Sequence, residues 1–222
     1  MDLTKIKNKI KYSPTWKRRI HHLMFCNARP RLWVKWFLNP LVFHHGKKAV
    51  IRRQTVMNVS PINQFRLGTH STIEEYTIVD NGVGDVLIGD YTRIGLRSTI
   101  IGPVQIGNHV ILAQNITISG LNHHYENPQL PIHQQGVATA AIRIEDNSWI
   151  GANSVITAGV QIGKHVVVGA GSVVTKNIPD YSIAVGNPAK VIKKYDFSFP
   201  IDHPIRVQVT PSGNSSSTTV TV

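Results

Sequence analysis

At 222 residues the chain is long enough to bury one sizeable core or two small ones, and its punctuation suits a single repeat core with appendages. One cysteine, Cys26, excludes an internal disulfide framework and reads as a small buried hydrophobe; with no secretory signal recognisable, a reducing, cytoplasmic setting is expected. The formal net charge of +12 is concentrated, because 14 of the 24 Lys and Arg lie between the N-terminus and Arg53 beside a single acid, Asp2, whereas the rest of the chain carries ten bases and eleven acids. No run of about eighteen apolar residues occurs, so no membrane-spanning helix is expected.

Residues 1–49 form a basic N-terminal arm. Trp16, Ile20, Leu23 and Met24 fall at helical spacing among Lys17, Arg18, Arg19, His21 and His22. RLWVKWFLN places Leu32, Trp33, Trp36 and Phe37 in a similar way, which predicts two short amphipathic helices, the second stopped by Pro40. Two readings of this arm stay open. Its apolar faces can cap the open end of a repeat core, burying Trp33, Trp36 and Phe37. Alternatively, residues 1–40 can lie as a basic, Trp-bearing surface on an anionic membrane, making the protein peripheral to its inner face. No nucleic-acid module accompanies the charge, and no nucleic-acid partner is expected.

From about Val50 an aliphatic residue recurs, irregularly at first, at Val50, Val56 and Ile62, then Leu67, Ile73 and Val79. A slip at Asn81-Gly82-Val83-Gly84 reads as a corner or bulge. Beyond it Ile88, Ile94, Ile100, Ile106, Leu112 and Ile118 stand six apart. A second run, Ile144, Ile150, Ile156, Ile162, Val168 and Val174, keeps the same count without a miss. Gly follows the aliphatic at Gly151, Gly163 and Gly169, and the fifth place is small or branched throughout: Ser148, Ser154, Val160, Val166, Ser172 and Ile178. Strand side chains alternate with period two, so residues six apart face one way and stack into an apolar column when short strands and corners coil as a solenoid. Sandwich strands would instead be punctuated about every eight to twelve residues.

Between the two runs, residues 119–143 carry Pro128, Pro131, His123, His124 and His133 and no repeat. They read as an insertion thrown out from one corner of a continuing solenoid, and long loops on rigid scaffolds carry function. After Val174, Pro179 and Pro188 are expected to break any further strand. The solenoid domain is thus placed at 50–197, and the Ser/Thr-rich tail at 198–222 is expected to be loosely attached.

The two runs split by a His-bearing loop, followed by NSWIGANSVITAGVQIGKHVVVGAGSVVTKNIPDYSIAVGNPAKVIK, resemble the hexapeptide-repeat acetyltransferases over roughly residues 50–194. The similarity is to galactoside and maltose O-acetyltransferases, nodulation acetyltransferases and streptogramin acetyltransferases in particular. The resemblance implies an all-β fold, a left-handed parallel β-helix with triangular coils, assembled as a homotrimer. It further implies acetyl-CoA as co-substrate, no metal, and transfer of the acetyl group to a hydroxyl of a carbohydrate acceptor such as a polysaccharide precursor. The family's catalytic histidine matches His123, with His124 as the alternate. An imidazole there can take the proton of a hydroxyl as it attacks the thioester carbonyl.

Donor contacts carry over to Ala152, Ala170, Thr175, Lys176, Lys190 and Lys193. The small side chains suit a thin pantetheine and the lysines suit phosphates. Lys190 and Lys193 stand where the sugar acetyltransferases have Arg, and Trp149 matches a Trp near the reactive end. Arg93 stands where the galactoside and maltose enzymes have a sugar-binding Asn, and the acid that follows is replaced by Ile101, so the acceptor is expected to differ from their free sugars. Arg93 and Arg97 either meet an anionic group on that acceptor or are plain surface charges.

Two other classes use, or could use, such coils. A metal-dependent hydratase like the gamma-class carbonic anhydrases needs three His ligands from the coils, yet His123, His124 and His133 share one loop while His109 and His165 stand apart. A non-catalytic scaffold needs neither the loop histidine nor the donor lysines.

Overall fold

The computed structural model describes residues 19, 22–26, 29–195 and 207–209. Their main body is a parallel β-solenoid of six turns, each laying one short strand on each of three faces. Face I comprises Phe43–His45, Phe65–Leu67, Val86–Ile88, Val104–Ile106, Ile142–Ile144 and Gln161–Ile162. Face II comprises Val50–Ile51, Thr72–Ile73, Arg93–Ile94, Ile111–Leu112, Trp149–Ile150, Val167–Val168 and Ser182–Gly186. Face III comprises Val56–Asn58, Ile78–Asp80, Thr99–Ile101, Thr117–Ser119, Val155–Ile156 and Val173–Val174.

The two aliphatic runs are the core. Every member from Ile88 to Ile118 and from Ile144 to Val174 is buried, at 0–2% exposure, in a single continuous cluster. The fifth-place hydroxyls are buried too, and they repair the corners: Ser71, Thr92 and Ser148 donate to the carbonyls of Gly89, Gly107 and Gly163 at 2.7, 2.8 and 2.9 Å. Hydroxyls in such places satisfy backbone acceptors that a corner takes out of the ladder. The glycine after the aliphatic has its reason in close approach, since a Cβ on Gly151 would stand 2.5 Å from the Ala170 nitrogen of the next turn.

Two substitutions test this packing by denaturant unfolding. Ile144→Ala removes a fully buried side chain and is expected to destabilise by about 2–5 kcal/mol. Gly151→Ala forces two coils apart and is expected to cost about 1–3 kcal/mol.

The first turn departs from the expected register. Val50 and Val56 are 39% and 38% exposed, while Ile51 and Met57 pack on the core, paired with Ile73 and Val79. A one-residue shift turns a strand's whole side-chain set over, and the coil that joins Ile51 to Ile73 is longer than the one that joins Ile94 to Leu112. The solenoid also begins ahead of Val50, with Phe43–His45 as the first strand of face I. The slip at Asn81 is a buried corner in which the Asn81 amide accepts from the Ser60 N–H at 2.8 Å and donates to the carbonyls of Ser60 and Asn63.

Of the N-terminal helices, residues 22–24 are helical, while Trp16 and Ile20 lie outside the described residues; Cys26 is exposed rather than buried, because it sits on a two-residue strand paired only with Arg29–Pro30. The second helix does not stop at Pro40. It runs from Leu32 through a wide turn, Val34–Leu38, into Asn39–Val42, where Pro40 opens a new turn and its missing N–H is not needed. Nor does this helix bury its aromatic residues: Trp33, Trp36 and Phe37 are 39%, 69% and 68% exposed.

At the other end Pro179 and Pro188 do not end strand formation. Ser182–Gly186 and Ala189–Tyr195 form an antiparallel hairpin around Asn187 and Pro188, extending face II, and Val207–Val209 of the tail adds to its edge. The remainder of the 198–222 tail lies outside the described residues.

Candidate active site

Ile94 pairs with Leu112, and Leu112 in turn pairs with Ile150, so the coil that carries the insertion is more than twice as long as the one before it. The extra chain leaves the corner between faces III and I as an arm. Its neck is closed by the Ala140 N–H donating to the Gly120 carbonyl at 2.9 Å. Leu121–His123 pairs antiparallel with Val137–Thr139, so the irregular loop expected over 119–143 is a hairpin with a turn of 3-10 helix at Ile132–Gln134 near its tip.

His123 ends the first strand of this hairpin, opposite Val137, and is exposed. Its neighbour is committed to the arm itself: the His124 backbone N–H donates to the Gly136 carbonyl at 3.2 Å, and its Nδ1 lies 3.6 Å from Glu126 Oε2. The Glu126 carboxyl is held below the usual carboxylate range by its own backbone N–H, that of Tyr125, and His124. A depressed carboxyl supports the arm at neutral pH and loses that role as pH falls through its lowered value. Among the described residues no contact of this kind holds the His123 ring, which leaves its imidazole open to a substrate.

The arm roots directly on the corner of the following turn. The Gly159 N–H donates to the Ala140 carbonyl at 3.1 Å, and one turn further the same corner carries Thr175 and Lys176. Ala152 and Ala170 line the other margin of face III on successive turns, joined by the Gly171 N–H donating to the Ala152 carbonyl at 2.8 Å. The terminal hairpin closes this margin, with the Gly186 N–H on Ser172 Oγ at 3.1 Å and Lys190 paired with Val185. Between the two margins the outer side of face III is a strip of small or branched residues, Thr117, Val155 and Val173, in register. A slender chain can lie along that strip with cations at its edges.

The structure therefore gathers Ala152, Ala170, Thr175, Lys176 and Lys190 around face III below the His123 arm. It sets the other three candidates on face II. Arg93, Ile111, Trp149, Val167 and Ile183 form one outward row there, and Lys193 continues it opposite Ile183. Trp149 is 51% exposed. Arg93 is not a free cation: its Nε donates to Glu74 Oε1 at 2.8 Å and its Nη2 pairs with the same oxygen, while Glu74 Oε2 accepts from the Leu96 N–H. Arg97 stands on a corner at positive φ with its guanidinium 5.9 Å from the Tyr76 ring centre.

The coil histidines have a structural place. His70, Tyr91 and His109 stack at 5.0 Å steps along the corner between faces I and II, and His165 meets Tyr181 at 5.8 Å further along. All five adopt φ values of 54–56° and form rungs of one ladder. Among the described residues no three His, Cys, Asp or Glu side chains converge as a metal site, so the hydratase reading has no ligand set there.

A three-faced solenoid of six-residue units with one histidine-bearing arm defines a class, the hexapeptide-repeat proteins. Residues 85–119 and 141–176 match the hexapeptide repeat of succinyl-transferase. A probable acetyltransferase of Mycobacterium tuberculosis is 30% identical over 164 residues, which are 72% of this chain and 54% of that protein. A galactoside O-acetyltransferase of Lactococcus lactis is 38% identical over 112 residues, 50% of this chain and 52% of that one. The chain thus spans about half the length of these curated relatives. Among solved structures, an N-acyltransferase of Bacillus cereus in complex with dTDP-4-amino-4,6-dideoxyglucose and coenzyme A superimposes with a TM-score of 0.60 at 25% identity, covering 71% of this chain and 87% of that one. The chain carries the hexapeptide repeat and is similar, over that repeat, to hexapeptide-repeat acetyltransferases.

Proposed function

We propose that the protein transfers an acetyl group from acetyl-CoA to a hydroxyl of a carbohydrate acceptor, as a homotrimer. The observation that carries the reading is the strip on face III, with Thr175 and Lys176 on one margin and Ala152, Ala170 and Lys190 on the other, beside an arm that leaves His123 and several apolar side chains exposed, so that in the trimer the arm of one subunit can meet the strip of the next. In this reading the pantetheine lies along Thr117, Val155 and Val173, and Lys176 and Lys190 meet the phosphates as point charges. The His123 imidazole takes the hydroxyl proton as the oxygen attacks the thioester carbon. The carbon–sulfur bond then breaks, the proton passes to the leaving thiolate, and an ester and free coenzyme A are left.

Trp149 and Lys193 stand on face II, further from this grouping, and have smaller roles in the proposal. Arg93, already paired with Glu74, positions that face rather than binding an anion. A second reading, acyl transfer to the amine of a nucleotide-linked sugar, draws support from the Bacillus cereus N-acyltransferase, whose complex holds dTDP-4-amino-4,6-dideoxyglucose.

The experiment is thiol release from acetyl-CoA by purified protein against sugars, amino-sugar nucleotides and lipid-linked oligosaccharides, read together with binding of coenzyme A by calorimetry. Lys176→Ala with Lys190→Ala is expected to weaken coenzyme A binding about tenfold or more, the scale of a lost charge-assisted hydrogen bond. Unchanged binding in the double variant removes these lysines from the donor site.

A further inference from the structure

The helix over residues 32–42 is apolar on both sides. Val34 and Leu38 point inward and pack with Met24 and Ile62, Val34 being fully buried. Leu32, Trp36, Phe37 and Leu41 point the other way and are 66%, 69%, 68% and 79% exposed. Single exposed apolar residues are ordinary, but a cluster over successive helical turns marks a contact surface. A helix that is apolar all round belongs in a core or against lipid; this one has a core on one side only.

Charge at the same end of the solenoid supplies an independent observation. Arg31 flanks the helix, Lys47 and Lys48 make the first corner between faces I and II, and Arg52 and Arg53 make the first between faces II and III. All five are exposed, and none is ion-paired: the ion pairs among the described residues are Arg93 with Glu74 and His124 with Glu126. No Asp or Glu occurs between Asp2 and Glu74. Bulky apolar residues at the same end of the solenoid as uncompensated cations are complementary to a surface that is negative outside and apolar beneath.

We propose that this end of the solenoid seats on an anionic lipid surface. Leu32, Trp36, Phe37 and Leu41 enter the boundary between headgroups and acyl chains, and the cations lie at the level of the lipid phosphates. Each base near an anionic leaflet contributes about fivefold in binding, and salt screens that contribution. Resting on the acyl-transfer reading, the seating holds the His123 arm, which leaves after the fourth strand of face III, about 20 Å above the lipid. That height suits an acceptor glycan carried on a lipid.

The test is co-sedimentation of the full chain with phosphatidylcholine vesicles, with and without phosphatidylglycerol. One variant is W36S/F37S/L41S and a second is K47S/K48S/R52S/R53S; circular dichroism and melting of both report an intact solenoid. The parent is expected to pellet with the anionic vesicles at low salt, to stay in solution with the neutral ones, and to be released by about 0.5 M salt. Each variant is expected to lose binding by about tenfold or more. Parent protein that remains in the supernatant overturns the proposal, as does pelleting that neither variant reduces. A drop in oligomer size in W36S/F37S/L41S without vesicle binding by the parent also overturns it, assigning the patch to a second copy of the chain. None of these readouts depends on catalysis, so failure here and failure of the acyl-transfer reading are distinguishable.

Discussion

Replacement of His123 by alanine is expected to lower turnover by about a hundred- to ten-thousand-fold while leaving affinity for acetyl-CoA near that of the parent. A sugar hydroxyl is a poor nucleophile at neutral pH, so removing its proton during attack is where an imidazole contributes most. His123 stands exposed at the end of Leu121–His123, on an arm rooted beside the proposed donor strip. His124→Ala is the control. Its backbone N–H bond to Gly136 survives the change, and the side chain it loses faces Glu126, so turnover is expected to stay near the parent. Near-normal turnover in His123→Ala removes the assignment, and a loss confined to His124→Ala moves it by one residue.

The second large effect is expected on mixing inactive proteins. The arm carries Tyr125, Leu130, Ile132 and Val137 at 71%, 45%, 55% and 45% exposure. Apolar side chains so uncovered on a two-stranded projection call for a partner surface, because an isolated hairpin is marginal in water. If the arm of one subunit faces the donor strip of the next, a His123→Ala chain and a Lys176→Ala, Lys190→Ala chain complement each other. After exchange in equal amounts, about a quarter of the sites in a closed symmetric trimer regain both halves. Light scattering establishes the trimer, and differently tagged chains establish the mixing. Mixed trimers without recovered activity place the whole site in a single subunit.

The solenoid is readable in the sequence because burial repeats at a fixed interval. Ile144 to Val174 show the period directly, and every residue in that column is buried. The period says less where a coil has only one neighbour. In the first turn Ile51 and Met57, not Val50 and Val56, face the core, since a coil at the end of the stack is held to its register from one side. Pro188 departs from expectation for a different reason: it occupies the turn between two strands, which proline tolerates, rather than a ladder position.

The site is legible in part. Ala152 and Ala170 lie three hexapeptides apart, one full coil, so their shared margin follows from the period. The same interval links Thr157 to Thr175 and identifies the ledge on which the arm rests, a comparison the motif match does not require. Glu74 as the partner of Arg93 is not legible, because that pairing depends on strands of neighbouring coils and on side-chain direction. The same holds for Lys193, whose place on face II follows from an antiparallel hairpin that the repeat does not announce. Face by face, the period predicts columns; departures from it arise from contacts between coils that the period does not encode.

The proposed reaction forms an ester on a carbohydrate at the expense of acetyl-CoA, with His123 as the base. The measurement that tests it most directly is mass spectrometry of the acceptor after incubation with isotopically labelled acetyl-CoA, followed by treatment with alkaline hydroxylamine, which cleaves esters and spares amides. One label per product molecule is expected, removed by hydroxylamine and absent when His123→Ala protein is used. Label that resists hydroxylamine, or labelling undiminished in His123→Ala, contradicts it.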